Sequence, residues 1–305
     1  MIKVFYDLRA GLLSDTVLTL GMFDGVHIAH RQIISECVLR AKKEGRKSVF
    51  LTYDPHPQQV ISTNRAAPFK VLSTPEEKLK KVEELGIDIA VVVNFTSEFA
   101  ALSADDFLKN IYESLGPSEI VTGYRTTFGH NRLGNSEILR TFAEDKSIKL
   151  SLIEPIELSG LPVSSSNIRK LLFAGGIKNA NIMLGSAYTF TGVVIDGDKR
   201  GRSLGFKTAN IEPNSADKLI PADGVYACDT TISNKVYRAV VNIGTRPTFE
   251  RDFSIEAHIL DFDEDIYGKE ITLCFLDRLR DVQKFNGKDA LIAAINADIA
   301  AVQKL

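Results

Sequence analysis

Leu20-Gly21-Met22-Phe23-Asp24-Gly25-Val26-His27-Ile28-Ala29-His30 is the stretch on which the fold turns. It follows a β-rich run, Thr16–Leu20, and opens a helical pattern over roughly 30–43, where Ile34, Cys37, Val38 and Ala41 recur at three- and four-residue spacing. Glycine at 21 and 25 lets the backbone turn sharply and pass close to a ligand. A helix that starts where a parallel strand ends gathers oriented N–H groups and a partial positive charge, which suits an anion. His27 and His30 add ring N–H donors at the same place. Two histidines three apart would, alone, fit a plain turn or a metal pair equally well. The strand–glycine–histidine–helix order favours phosphate.

Outward from this stretch, strand candidates Ser48–Tyr53, Asp88–Val93, Glu119–Thr122 and Ile148–Ile153 alternate with helical patterns at roughly 75–85, 104–115 and 135–144. Helix starts are marked by Ser73 near Pro75, Glu76 and Glu77, and by Ser103 before Asp105 and Asp106. Such alternation predicts an α/β, Rossmann-like domain with a parallel sheet covered by helices. Beyond about residue 184 the pattern changes. Val193–Ile195, Val225–Thr231, Val236–Ile243, Ile255–Phe262 and Ile271–Leu276 are β-rich, with Gly, Pro and Asn between them, and predict an antiparallel β-barrel. A helical tail from Gly287 to Leu305 presents Leu291, Ile292, Ile295 and Ile299 for packing on that barrel. The boundary is expected between Met183 and Tyr188, giving domains 1–184 and 185–305.

The 305-residue chain has room for two domains. A net charge of −2 argues against broad capture of nucleic acid or anionic membrane. No apolar run reaches the length of a membrane span, and Lys3, Asp7 and Arg9 interrupt any signal-peptide core. Cys37, Cys228 and Cys274 are odd in number and widely spaced, as expected of a cytoplasmic protein in a reducing compartment.

A second glycine-dense stretch runs from Gly192 through Gly197, Gly201 and Gly205 to Thr208 and Asn210. Gly205-Phe206-Lys207-Thr208 is not a Walker A loop, because Phe206 separates glycine from lysine and no long helix follows. Glycines here let a loop fold over nucleotide phosphates, and Thr208 and Asn210 offer hard oxygens suited to Mg²⁺.

Together the two stretches resemble the bacterial bifunctional riboflavin kinase/FAD synthetases. Residues 21–30 resemble the GxFDGVHxGH signature, and the likeness continues through Thr52-Tyr53-Asp54-Pro55-His56-Pro57, Leu72-Ser73-Thr74, Val121-Thr122-Gly123-Tyr124 and Val163-Ser164-Ser165-Ser166-Asn167-Ile168-Arg169. Residues 192–210 resemble the riboflavin kinase signature GxVxxGxxxGRxLGFPTANI. Downstream, Asp223-Gly224-Val225-Tyr226, Asn242-Ile243-Gly244-Thr245-Arg246-Pro247-Thr248-Phe249, Glu256-Ala257-His258-Ile259-Leu260-Asp261-Phe262 and the Leu279-Arg280 to Phe285 element follow in the family's order.

The resemblance implies that riboflavin is phosphorylated by ATP to FMN and that FMN is adenylylated by a second ATP to FAD, both with Mg²⁺, the partners being the small-molecule substrates ATP, riboflavin and FMN. His27 and His30 would contact ATP phosphates and act catalytically, beside Gly21, Phe23, Asp24, Gly25, Ser165, Ser166 and Arg169. In the kinase half, Glu256 would be the general base, Thr208 and Asn210 would bear on the metal, Gly192, Gly197, Gly201 and Gly205 on phosphates, and Asn242, Arg246, Arg280 and Phe285 on the flavin. Three positions depart from the family pattern: Ala29 stands for glycine, Arg125 for Asp or Asn, and Lys207 for proline. Two alternatives remain at this point, a monofunctional kinase with a drifted transferase half and a non-catalytic flavin-binding regulator.

Overall fold

The computed structural model describes residues 1–62, 68–196, 206–244 and 254–305. Two compact units divide the chain, Met1–Ser165 and Ser166–Leu305.

In the first unit the elements run β1 (Lys3–Phe5), β2 (Thr16–Leu20), α1 (Ile28–Glu44), β3 (Lys47–Asp54), α2 (Pro57–Ile61), α3 (Pro75–Glu84), β4 (Ile89–Asn94), α4 (Ser97–Ala100), α5 (Ala104–Leu115), β5 (Pro117–Gly123), α6 (Ser136–Asp145), β6 (Lys149–Ile153) and a small hairpin of β7 (Glu157–Leu158) and β8 (Leu161–Pro162). Local chemistry sets the helix ends. Thr74 and Glu77 form a reciprocal capping box with Pro75 at the first position of α3, and Ser103 accepts the Asp106 N–H at 3.1 Å to start α5. Gly116 ends α5 in the left-handed region at φ 49°, where a Cβ would also lie 2.8 Å from the Ser14 backbone.

Six parallel strands form one sheet in the order β1-β4-β3-β2-β5-β6. Every residue of β2 is buried, as in a strand covered on both faces. From β2 the chain builds outward through β3 and β4, then returns to the other side of β2 for β5 and β6. The order reverses beside β2, so the ligand crevice of such a sheet falls at the carboxyl end of β2, where Gly21–His30 lie. A half-buried ion pair lies beside this centre: buried Glu119 of β5 accepts from Nη1 of the partly exposed Arg40 at 2.6 Å.

The second unit begins with α7 (Ser165–Phe173, of which Ser165 belongs to the first unit) and α8 (Ile177–Leu184). A closed antiparallel barrel follows: β9 (Tyr188–Ile195), β10 (Ala209–Pro213), β11 (Gly224–Ile232), β12 (Lys235–Gly244), β13 (Ser254–Ile259) and β14 (Glu270–Arg280), in the order β10-β13-β12-β11-β14-β9. Burial alternates along β9 and β13, so one set of side chains, including Phe190, Ile255 and Ala257, is buried as the other is left half-open.

The helix α9 (Lys288–Val302) closes the chain. Its packing differs from the sequence expectation. Leu291, Ile292 and Ile295 are half-buried, whereas Asp298 and Val302 are buried, and Ile299 joins Val225, Ala227, Val240 and Leu260 against the barrel. Contact therefore concentrates in the last turns, where Asp298 also holds Arg280. The strand β10 was not foreseen either: Asn210, Glu212 and Pro213 are poor strand formers, and pairing to β9 and β13 imposes the extended form.

Candidate active sites

At the carboxyl end of β2 the chain makes a turn that ordinary residues resist. Phe23 and Val26 both lie in the left-handed region, at φ 49° and 46°, and Gly25 at 82°. A buried β-branched residue at positive φ is strained, and such strain persists only where surrounding contacts over-determine it. Several contacts do so here. The Asp24 carboxylate, 2% exposed, accepts the backbone N–H of Leu72 and Ser73 at 3.0 Å, Gly25 N–H donates to Ser73 Oγ at 2.9 Å, and Ser165 Oγ donates to the Asp24 carbonyl at 2.9 Å. Gly21 is packed so tightly that a Cβ would come within 3.2 Å of the Phe23 ring.

The turn delivers His27 as the N-cap of α1 and His30 one turn on, their rings stacked at 3.5 Å. The ring of Phe23 meets His30 edge-on at 5.2 Å. His27 Nδ1 accepts the His30 backbone N–H at 3.4 Å, so neutral His27 carries its proton on Nε2 and presents that nitrogen as a donor. His30 Nδ1 is buried without a hydrogen-bond partner. Burial holds His27 down to about 4, with Asp24 opposing, and holds His30 well below 6.5, with His27 and Lys78 adding to the effect. Both are uncharged at neutral pH in the free chain.

Ser166 and Arg169 follow on α7, in the second compact unit. Ala29 sits in the first turn of α1, and Arg125 is exposed in the turn after β5. Sequence reasoning missed Lys78. It lies on the buried face of α3 with Val82, and its Nζ donates to Thr52 Oγ1 at 3.0 Å. The available signal was a lysine four residues before a core valine, in a helix otherwise rich in exposed charge.

On the barrel, register gathers the kinase candidates into one row. Asn210 pairs with Glu256, Glu256 with Asn242, Asn242 with Val225, and Val225 with Arg280. Directly opposed residues share a face, so the carboxylate stands between two amides and in line with the guanidinium. Arg280 is held by Asp298 at 2.8–3.2 Å and lies over the Phe285 ring at 5.5 Å. On the opposite face of β10 and β13, where Ala209 and Ala257 alternate with the row, a cavity of about 150 Å³ is lined by Lys207 and Thr208 on one side and Phe262, Asp263 and Ile266 on another. Lys207, in place of proline, forms an ion pair with Asp263, while its carbonyl oxygen lies 2.7 Å from His258 Nδ1. Gly192 lies in β9, where a Cβ would strike the Glu212 carbonyl of β10, so glycine is required for the pairing itself. Gly197, Gly201, Gly205 and Arg246 lie outside the described residues.

Comparison with known proteins agrees with both halves. The family model for FAD synthetase matches residues 11–167, and that for riboflavin kinase matches residues 184–305. The chain belongs to the bifunctional riboflavin kinase/FMN adenylyltransferase family. A relative of that name from Listeria monocytogenes is 38% identical, covering 92% of this chain and 90% of its own. Those from Bacillus subtilis and Escherichia coli K12 are 35% and 30% identical, covering 93% and 98% of this chain. A solved structure from Streptococcus pneumoniae, titled a macrolide-efflux protein, is 30% identical with a TM-score of 0.92 over the whole of both chains. Efflux is that title's word for that protein; among the described residues of this chain no helix is long and apolar enough to cross a membrane. Membership in the family makes the chain a bifunctional enzyme of FAD synthesis, with both transferase domains present.

Proposed function

We propose that each half works through the residues assembled above. In the kinase half, the Glu256 carboxylate takes the proton of the ribityl 5′-hydroxyl as that oxygen attacks the ATP γ-phosphorus, giving FMN and ADP. Asn242, Arg280 and Phe285 hold the flavin, joined by Arg246, which lies outside the described residues. Asn210 and Thr208 fit Mg²⁺, because hydroxyl and amide oxygens are hard donors that supplement phosphate oxygens. When bound, Mg²⁺ supplies charge neutralisation at the phosphates.

In the transferase half, an FMN phosphate oxygen attacks the ATP α-phosphorus and the bond to the departing pyrophosphate breaks. His27 Nε2–H and His30 donate to the phosphate oxygens as negative charge builds, with the mouth of α1 adding its own N–H groups. Ser165, whose hydroxyl donates to the Asp24 carbonyl, adds to the anion-binding set of this unit. The stacked, N-capping His27–His30 pair carries this reading, since it equips the half that a monofunctional kinase would not need.

We place the adenylyltransferase domain at 1–184 and the kinase at 185–305, in the cytoplasm. Cys37, Cys228 and Cys274 are free thiols, which suits a reducing compartment. The test is to incubate the full chain with riboflavin and Mg-ATP, then with FMN and Mg-ATP, resolving products by chromatography. FMN and FAD from the first and FAD from the second are expected. FMN alone would restore the monofunctional alternative, and bound riboflavin without product would restore the regulator.

A further inference from the structure

We propose that Lys78 is a positioning residue for adenylyl transfer: a buried cation that braces the turn bearing His27 and His30 and sets the field in which that pair works. The inference rests on the reading of the histidine pair given above.

The brace is continuous. Lys78, 5% exposed, donates through Nζ to Thr52 Oγ1 at 3.0 Å, and Thr52 Oγ1 donates to the Met22 carbonyl at 3.0 Å. Two residues on, the Asp24 carboxylate is fixed by the backbone of Leu72 and Ser73, immediately before α3. Both ends of the Met22–Asp24 segment are thus tied to the start of one helix, and the strained Phe23 conformation lies between the ties. An apolar side chain at position 78 would fill the α3 stripe without the cost of burying an ammonium. What lysine adds is charge and a directed hydrogen bond.

That charge is felt at the site. The charged groups facing the histidine pair are Asp24 from the turn and Lys78 from α3, while Asp54 of β3 faces Lys78. Asp24 favours protonation of His27, and Lys78 opposes protonation of His30. Burial lowers the affinity of Lys78 for its proton, and Asp24 and Asp54 counter that by favouring the ammonium. Burial keeps the pair uncharged; Lys78 reinforces this at His30 and Asp24 works against it at His27, so incoming phosphates meet neutral N–H donors.

The experiment uses the full chain carrying Lys78→Met, Lys78→Arg or His30→Ala, with FAD formation from FMN as the readout, amide hydrogen exchange in the first unit as its fold control and FMN formation from riboflavin as the control for the other unit. Imidazole titration is followed by NMR. With Lys78→Met, FAD formation should fall by about tenfold or more, as misplacement of a catalytic group costs, FMN formation should persist, and the histidine titration midpoint should rise. With Lys78→Arg the midpoint should stay low. Undiminished FAD formation in Lys78→Met, or an unmoved midpoint, would overturn the proposal. Should Lys78→Met fail to fold, Lys78→Arg decides: FAD formation with a low midpoint supports the role of charge, and its loss with an unaltered titration overturns it. If His30→Ala also retains FAD formation, the reading of the pair fails; an inactive His30→Ala beside a fully active Lys78→Met sinks the Lys78 inference alone.

Discussion

Asn210 of β10 and Glu256 of β13 are direct cross-strand partners, and they bring an amide oxygen to the side of the one carboxylate in the kinase row. Directly opposed strand residues hold their Cβ atoms about 5 Å apart, so a phosphate held at Asn210 and a hydroxyl held at Glu256, as proposed, would be neighbours. Asn242 flanks Glu256 from β12 and fixes the other side. On the proposed roles, strand register sets the spacing between the Glu256 carboxylate and the Asn210 amide.

Glu256→Gln keeps the size and the cross-strand hydrogen bonding but removes the proton acceptor. Riboflavin phosphorylation is expected to fall by about 10²–10⁴-fold, the usual worth of a general base. FAD formation from supplied FMN should be unchanged, because that chemistry uses the other unit. Chromatographic rates for the two substrates in the same preparation check this.

Much of this was legible in sequence for a physical reason. Thr16–Leu20, Ile89–Asn94 and the α1 stripe are strongly patterned because both sheet faces are buried, and the glycine–histidine turn announces itself by residues that other turns do not need. The kinase row was legible residue by residue, but its alignment was not: Asn210, Glu256 and Asn242 are far apart in sequence, and only strand pairing makes them one row. β10 hid behind poor strand formers. Lys78 hid among Glu76, Glu77, Lys80 and Lys81, since a charged helix offers no cue as to which charge turns inward.

Acid should weaken the first unit through His27. Its folded pKa of about 4 lies below the ordinary 6.5, chiefly through burial, so the unfolded chain takes up the proton first as pH falls. The stability linked to this group is complete above pH 6.5 and is lost progressively down to about 4, amounting to ~3 kcal/mol. His27→Gln should flatten that dependence. Thermal unfolding of the two proteins at pH 7 and pH 5 is the measurement, and parallel losses in both would refute the assignment.

Asp24→Ala should destabilise the first unit more than a typical loop substitution. It strips the acceptor from two buried backbone N–H groups, those of Leu72 and Ser73, and removes counter-charge from Lys78. An orphaned buried donor costs about 1–3 kcal/mol, so a total near 3 kcal/mol is expected. Asp24→Asn, which keeps one acceptor oxygen, should recover part of it. FAD formation should follow the same order while FMN formation stays intact.

Arg280, proposed to hold the flavin, is tied to the tail of the chain. Its guanidinium donates through Nε and Nη2 to Asp298 of α9, and its central carbon lies 5.5 Å from the Phe285 ring centre. Arg280→Met therefore removes a cation and also leaves Asp298, 6% exposed, without its partner. Hydrogen bonds to a charged group contribute about 2 kcal/mol, and the loss should appear as loosening of the last turns of α9, where Ile299 and Val302 pack on the barrel. Hydrogen exchange should rise there first. Riboflavin KM should rise with it. The double variant Arg280→Met/Asp298→Leu restores an apolar contact, so it should recover helix protection without recovering KM. Recovery of both would mean that Arg280 serves the flavin only through the helix.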